Sequence, residues 1–125
     1  MNVPVSKRFE GATPEQLAVL DRTHEVEHLS YDLWTLRITL TGKDVRAYVD
    51  FGGPVTFRVL DEGDLLEFWN DERPPGRIWE VLSGGWKDAM VHQHRHEHDR
   101  EYMVLGQNDC VTVLTREPPT ITVLD

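Results

Sequence analysis

The sequence predicts an α+β fold, in which an N-terminal helix is followed by a mainly antiparallel β-sheet of six or seven strands. Two observations carry this prediction. A helix-start signal lies near residue 13, and from residue 34 onwards apolar and polar residues alternate with period two between Gly- and Pro-containing turns. The 125 residues fit one domain, 1–125, in which residues 1–12 are expected to form a flexible arm.

The helix is predicted to begin at Pro14, a residue type that suits the first helical position. Thr13 can cap the helix, and Gln16 completes a capping box with it. The helix is expected to continue to about Leu29, with only a thin apolar stripe on one face.

The strands are predicted from alternation and turn chemistry. Residues 34–40 and 45–51 alternate on either side of a turn at 41–44, which predicts a hairpin. A third strand is expected at 55–59, and the apolar residues of 65–69 fit either a strand or a short helix capped by Asp61. Pro and Gly mark 70–77 as a loop. Further strands are predicted at 77–82, at 101–105 and 110–115 as a hairpin, and at 121–123 as a short edge strand.

The composition restricts the classes of partner. Asp and Glu number 22 against 13 Lys and Arg, which gives a net charge of −9 with His neutral. Such a charge repels nucleic acid and anionic lipid and favours a partner with a basic surface. The sequence contains no apolar stretch of about 20 residues, no secretory signal and a single cysteine, so we expect a cytoplasmic protein that binds neither membranes nor nucleic acid.

An acidic and aromatic segment is the leading candidate for partner binding. Carboxylates around aromatic anchors are what a binder of a basic protein surface presents. The alternative is that the carboxylates belong to turns and the tryptophans to the core. The candidate residues are Asp61, Glu62, Asp64, Glu67, Trp69, Asp71, Glu72 and Trp86.

The sequence from His24 to His28 matches H-E-x-x-H. On a helix, His24 and His28 share one face and can bind one zinc ion, with Glu25 as the general base of a hydrolase. Charged residues within and around the motif are unlike those of zinc peptidases. A solvated helix face is the competing interpretation.

The histidine-rich segment 92–98 supplies a second candidate metal site. His94, His96 and Glu101 approximate the first motif of the cupins, small-ligand-binding β-barrels, and that motif can hold zinc or another divalent metal. The second cupin motif is missing, and both faces of the segment are polar, so a solvated loop is the alternative. No other cofactor is expected.

Three stretches of the chain carry a family resemblance: 57–69 (FRVLDEGDLLEFW), 79–86 (WEVLSGGW) and 109–114 (DCVTVL) with 118–121 (PPTI). Over about residues 33–121 the chain resembles small bacterial immunity-type proteins of polymorphic toxin systems. The resemblance implies an acidic α+β protein that binds and blocks a cognate toxin of the same cell. It assigns no functional residue.

These observations favour a non-catalytic acidic binding protein, and the resemblance implies the immunity type. A zinc-dependent hydrolase and a cupin-like small-ligand binder remain the alternatives, so enzymatic activity stays open. A homodimer through an uncovered sheet face or an edge strand also stays open.

Overall fold

The computed structural model describes residues 3–90 and 96–124. Within them the elements are β1 (Val5–Arg8), α1 (Pro14–Leu20), β2 (Glu25–Tyr31), β3 (Thr35–Gly42), β4 (Val45–Gly52), β5 (Thr56–Asp61), a 3₁₀ segment (Glu62–Phe68), β6 (Ile78–Ser83), α2 (Trp86–Ala89), β7 (Arg100–Leu105), β8 (Asp109–Thr115) and β9 (Thr120–Leu124). None of the helices in these residues is long and apolar enough to cross a membrane.

The strands form two antiparallel sheets. The five-stranded sheet has the order β1-β6-β7-β8-β5, and the four-stranded sheet has the order β2-β3-β4-β9. One apolar core takes inward-facing residues from both sheets, together with Phe9 and Leu20. The two sheets therefore pack face to face around this core, which is the arrangement of a β-sandwich.

The predicted fold class is wrong. The described residues contain nine strands in two sheets, and the chain enters the fold as a strand, so the fold is β-rich. A flexible arm was expected at 1–12, but residues 5–9 belong to the folded structure. Val5–Arg8 pair with β6, and Phe9 is buried in the core.

The helix begins where it was predicted but ends early. Thr13 and Gln16 form the expected capping box, and Pro14 occupies the first turn. The helix stops at Leu20, whose carbonyl accepts hydrogen bonds from both the backbone N–H and the hydroxyl of Thr23. Residues 25–31 then form β2, although the helix was predicted to continue to about Leu29.

The two predicted hairpins and the predicted edge strand are confirmed. Strands β3 and β4 pair directly, as do β7 and β8, and β9 pairs with β4 at the edge of its sheet. Of the two structures open for residues 65–69, the helical one is correct, since Asp61 caps a 3₁₀ segment by accepting the N–H of Gly63 at 2.7 Å.

Candidate functional site

The 3₁₀ segment covers the face of the five-stranded sheet that points away from the main core. Leu65 and Phe68 are buried beneath it, where they pack in a second apolar cluster with residues of β6, β7 and β8. The alternation of β7 explains this arrangement, because Tyr102 and Val104 face the main core while Met103 and Leu105 face the 3₁₀ segment. The segment is thus held on a rigid support, and its remaining residues are presented to solvent.

The exposed side of the segment and the loop after it form an acidic patch around Leu66, whose side chain is 70% exposed. The patch consists of six exposed carboxylate residues, Asp61, Glu62, Asp64, Glu67, Asp71 and Glu72. Within residues 3–90 and 96–124, no ion pair joins any of the six to a basic side chain. The patch therefore presents six carboxylates that no ion pair holds, together with an exposed apolar side chain.

Trp69, which was predicted to bind a partner, is mainly an anchor of the patch. Its ring packs edge-on against Trp79, with 5.7 Å between ring centres and planes at 71°. Its Nε1 donates a hydrogen bond to the backbone oxygen of Glu62 at 2.9 Å. The half-buried indole thus ties the two ends of the 3₁₀ segment together.

Trp86 lies in α2 and is engaged by Arg58. The guanidinium carbon of Arg58 lies 4.5 Å from the centre of the Trp86 ring, and its Nε donates to the hydroxyl of Thr112 at 3.1 Å. Burial lowers the pKa of Arg58, against the opposing attraction of Glu101 and Glu67. Trp86 is half-buried in this arrangement.

Glu101 caps α2 from below. Its two carboxylate oxygens accept the backbone N–H groups of Trp86 at 3.0 Å and of Lys87 at 2.8 Å, and the residue is buried. Desolvation raises the pKa of Glu101, although these two hydrogen bonds and the nearby Arg58 act in the opposite direction. The acid predicted as a metal ligand therefore has a structural role in the fold.

Of the other two residues of the cupin-like candidate, only His96 lies within the described residues. His94 lies outside the described residues. His96 is buried, and its Nδ1 lies 2.7 Å from the carboxylate of Asp99.

The H-E-x-x-H residues lie on or beside a strand, so their predicted helical placement is wrong. His24 precedes β2, and Glu25 and His28 are within it, all three exposed. Residues four apart on a strand are about 13 Å apart, whereas on a helix they are neighbours at about 5–6 Å. The close histidine pair that a zinc hydrolase needs is therefore not formed by this motif.

No group of three or more His, Cys, Asp or Glu side chains suited to a metal ion occurs in residues 3–90 and 96–124. The candidate site that these residues support best is therefore the acidic patch.

Sequence reasoning missed two surface features. Trp34 fits the apolar alternation of β3, but it lies in the turn before that strand and is 77% exposed. An open cleft of about 560 Å³ lies beside the acidic patch, and its lining includes Arg73 and Arg77, which the sequence analysis assigned to a loop and a strand start. No local pattern marks such a cleft, since it brings together the 3₁₀ segment, the loop after it and the end of β7.

In comparisons with known proteins, the chain matches no protein-family model, no curated protein and no solved structure.

Proposed function

We propose that the protein is a non-catalytic binding protein whose acidic patch docks on the basic surface of a protein partner. The observation that carries the proposal is a set of six exposed carboxylates and the exposed Leu66 on, or next to, a segment that buried residues anchor to the sheet. The resemblance of residues 33–121 to immunity-type proteins suggests that this partner is a cognate toxin.

Electrostatics and burial have separate tasks in such an interface. Complementary charges accelerate the encounter and orient the partners, while a desolvated apolar side chain near the centre supplies much of the affinity. The patch contains both elements, exposed carboxylates and the exposed apolar side chain of Leu66. The buried Leu65 and Phe68 hold the backbone of the patch in one conformation, which limits the entropy lost on binding.

The test is isothermal titration calorimetry of the purified protein against the protein encoded by the adjacent gene, which is where immunity and toxin genes are expected together. Leu66→Asp is expected to weaken the complex at least about thirtyfold, because the loss of a central apolar contact costs roughly 2 kcal/mol or more.

Leu33→Asp is the matched control. Leu33 is 72% exposed, close to the 70% of Leu66, and lies in a turn with a positive φ of 77° that Asp tolerates better than Leu. The control is expected to retain wild-type affinity. The proposal is contradicted if the adjacent gene product shows no binding at micromolar concentration, or if the two substitutions weaken the complex equally.

A further inference from the structure

The cleft beside the acidic patch has the composition of a small-molecule site. Its apolar walls are formed by Leu66, Trp69, Trp79 and Leu105, and two arginines, Arg73 and Arg77, contribute positive charge. Its volume of about 560 Å³ lies in the range of ligand pockets, about 300–1,000 Å³.

Within residues 3–90 and 96–124, four arginines form no ion pair with a carboxylate: Arg22, Arg58 and the two cleft arginines, Arg73 and Arg77. Arg8, Arg37, Arg46 and Arg100 each form an ion pair with a carboxylate. In the described part of the chain neither cleft arginine does so, although the protein carries a net charge of −9. Both guanidinium groups are thus available to an anionic group in the cleft.

A third group in the wall also lacks a partner. Trp79 is 3% exposed, and its Nε1 has no hydrogen-bond acceptor in residues 3–90 and 96–124. An indole N–H that is buried without an acceptor costs free energy. Trp79 lines the cleft, so its indole signal reports on a ligand that occupies the cleft.

The charge of the lining sets the charge of the ligand. Glu62 also lines the cleft, so together with Arg73 and Arg77 the charged side chains there sum to +1. A single negative charge balances this sum, whereas a ligand with several negative charges is repelled by Glu62 and by the rest of the acidic patch.

We propose that the cleft binds a small monoanion with a flat apolar body, of the aryl carboxylate class. The carboxylate accepts hydrogen bonds from the two arginines, and the aromatic ring packs against the indole walls. Arg is suited to this task because its planar guanidinium matches the two oxygens of a carboxylate. The cleft shares Glu62 and Leu66 with the acidic patch, but its ligand is a free small molecule, so the proposal does not rest on the identity of the protein partner.

The test uses naphthalene-2-carboxylate as the probe and its neutral amide, 2-naphthamide, as the matched control ligand. Binding is followed on protein with ¹⁵N-labelled tryptophan, in which each of the four tryptophans gives a separate indole N–H signal. The signals of Trp69 and Trp79 are expected to shift saturably with a Kd on the order of 0.1–1 mM, as befits a ligand of 13 non-hydrogen atoms. The signal of Trp34, which lies in a distant exposed turn, is expected to stay in place.

The variants isolate the role of the two arginines. Arg73→Gln with Arg77→Gln is expected to weaken probe binding about tenfold, while Arg22→Gln, at an exposed arginine outside the cleft, leaves it unchanged. The substitutions spare the backbone oxygen of Arg77, which accepts the N–H of Leu105. If the double variant fails to fold, Arg73→Gln alone is used, because Arg73 is exposed.

Four results would overturn the proposal. They are the absence of a saturable shift up to 10 mM probe, equal affinity for the amide, equal loss in Arg22→Gln, and a parallel shift of Trp34 that marks non-specific binding. If the protein binds the probe but does not bind the adjacent gene product, the cleft proposal is supported and the proposed protein partner is contradicted.

Discussion

Replacing Glu101 with Ala removes the carboxylate that holds the first turn of α2. The two hydrogen bonds that it accepts, from Trp86 and Lys87, are charge-assisted, and such bonds contribute about 1.5–3 kcal/mol each. Part of the stability lost with these hydrogen bonds is recovered in the variant. The buried carboxylate no longer carries its desolvation cost, and the freed N–H groups of the half-buried α2 regain contact with water. We therefore expect Glu101→Ala to lower the free energy of unfolding by about 2–3 kcal/mol.

The pH dependence of the same side chain has a definite sign. Burial raises the pKa of Glu101 in the folded protein above its ordinary value of 4.5. A carboxyl group with a raised folded pKa binds its proton more tightly in the folded state, so its contribution to stability is greatest below about pH 4.5 and is lost as the pH rises through the folded pKa. Glu101→Gln lacks this titration, so the stability of the wild type relative to Glu101→Gln is expected to fall between pH 4 and pH 7.

Urea unfolding of the wild type, Glu101→Gln and Glu101→Ala between pH 4 and pH 8 measures both effects. Titrations of all other groups cancel in the differences between variants. A loss below 1 kcal/mol in Glu101→Ala would refute the capping role. A wild type that gains stability over Glu101→Gln as the pH rises would show that the hydrogen bonds and Arg58 outweigh desolvation.

Further predictions concern packing and the reactivity of a buried thiol. Gly85→Ala is expected to destabilise the fold by about 1–3 kcal/mol in the same urea assay, because its Cβ would lie 2.6 Å from a carboxylate oxygen of Glu101. Gly52→Ala, with no atom within 4 Å of the added Cβ, is expected to be neutral or to stabilise by up to about 1 kcal/mol, and equal effects of the two would contradict this account. Phe68→Ala is expected to cost about 3–5 kcal/mol through the cavity left under the 3₁₀ segment, and a cost under 1 kcal/mol would mean that the segment is not anchored there. Burial raises the pKa of Cys110 to about 11, so its labelling by a disulfide reagent at pH 8 should require unfolding, whereas rapid labelling of native protein would show an accessible thiol.

The sequence predicted those elements in which one local rule decides the structure. The capping box starts α1, and strict alternation marks the hairpin of β3 and β4. Strand β2 was missed because the predicted helix was extended through His24 and His28 on a weak apolar stripe. The alternation that would mark a strand is interrupted there, because the pairing shifts between Val26 and His28 and both Val26 and Leu29 pack against the core. A spacing of three is typical of a helix, and this bulge therefore imitates helical periodicity.

The site was partly predictable for a similar reason. The exposure of the carboxylates follows from their chemistry and could be inferred from the sequence. The anchoring of Trp69 on Trp79 and the capping of α2 by Glu101 join residues that are 10 and 14–15 positions apart. Such contacts depend on how the sheet faces are covered, which no local pattern specifies.

The central claim is that the acidic patch is the docking surface. Two charge-matched triple variants test this claim most directly. One carries Glu62→Gln, Asp64→Asn and Glu67→Gln in the patch, and the other carries Glu15→Gln, Glu25→Gln and Asp44→Asn at exposed positions elsewhere. Both raise the net charge by the same three units, so only the location of the lost charge differs.

The measurement is the association rate constant with the adjacent gene product as a function of ionic strength. At low salt the patch variant is expected to associate about tenfold or more slowly than the control variant, and the difference should vanish near 1 M salt, where charges are screened beyond about 3 Å. Equal association rates for the two variants at low salt would contradict the assignment of the patch as the docking surface.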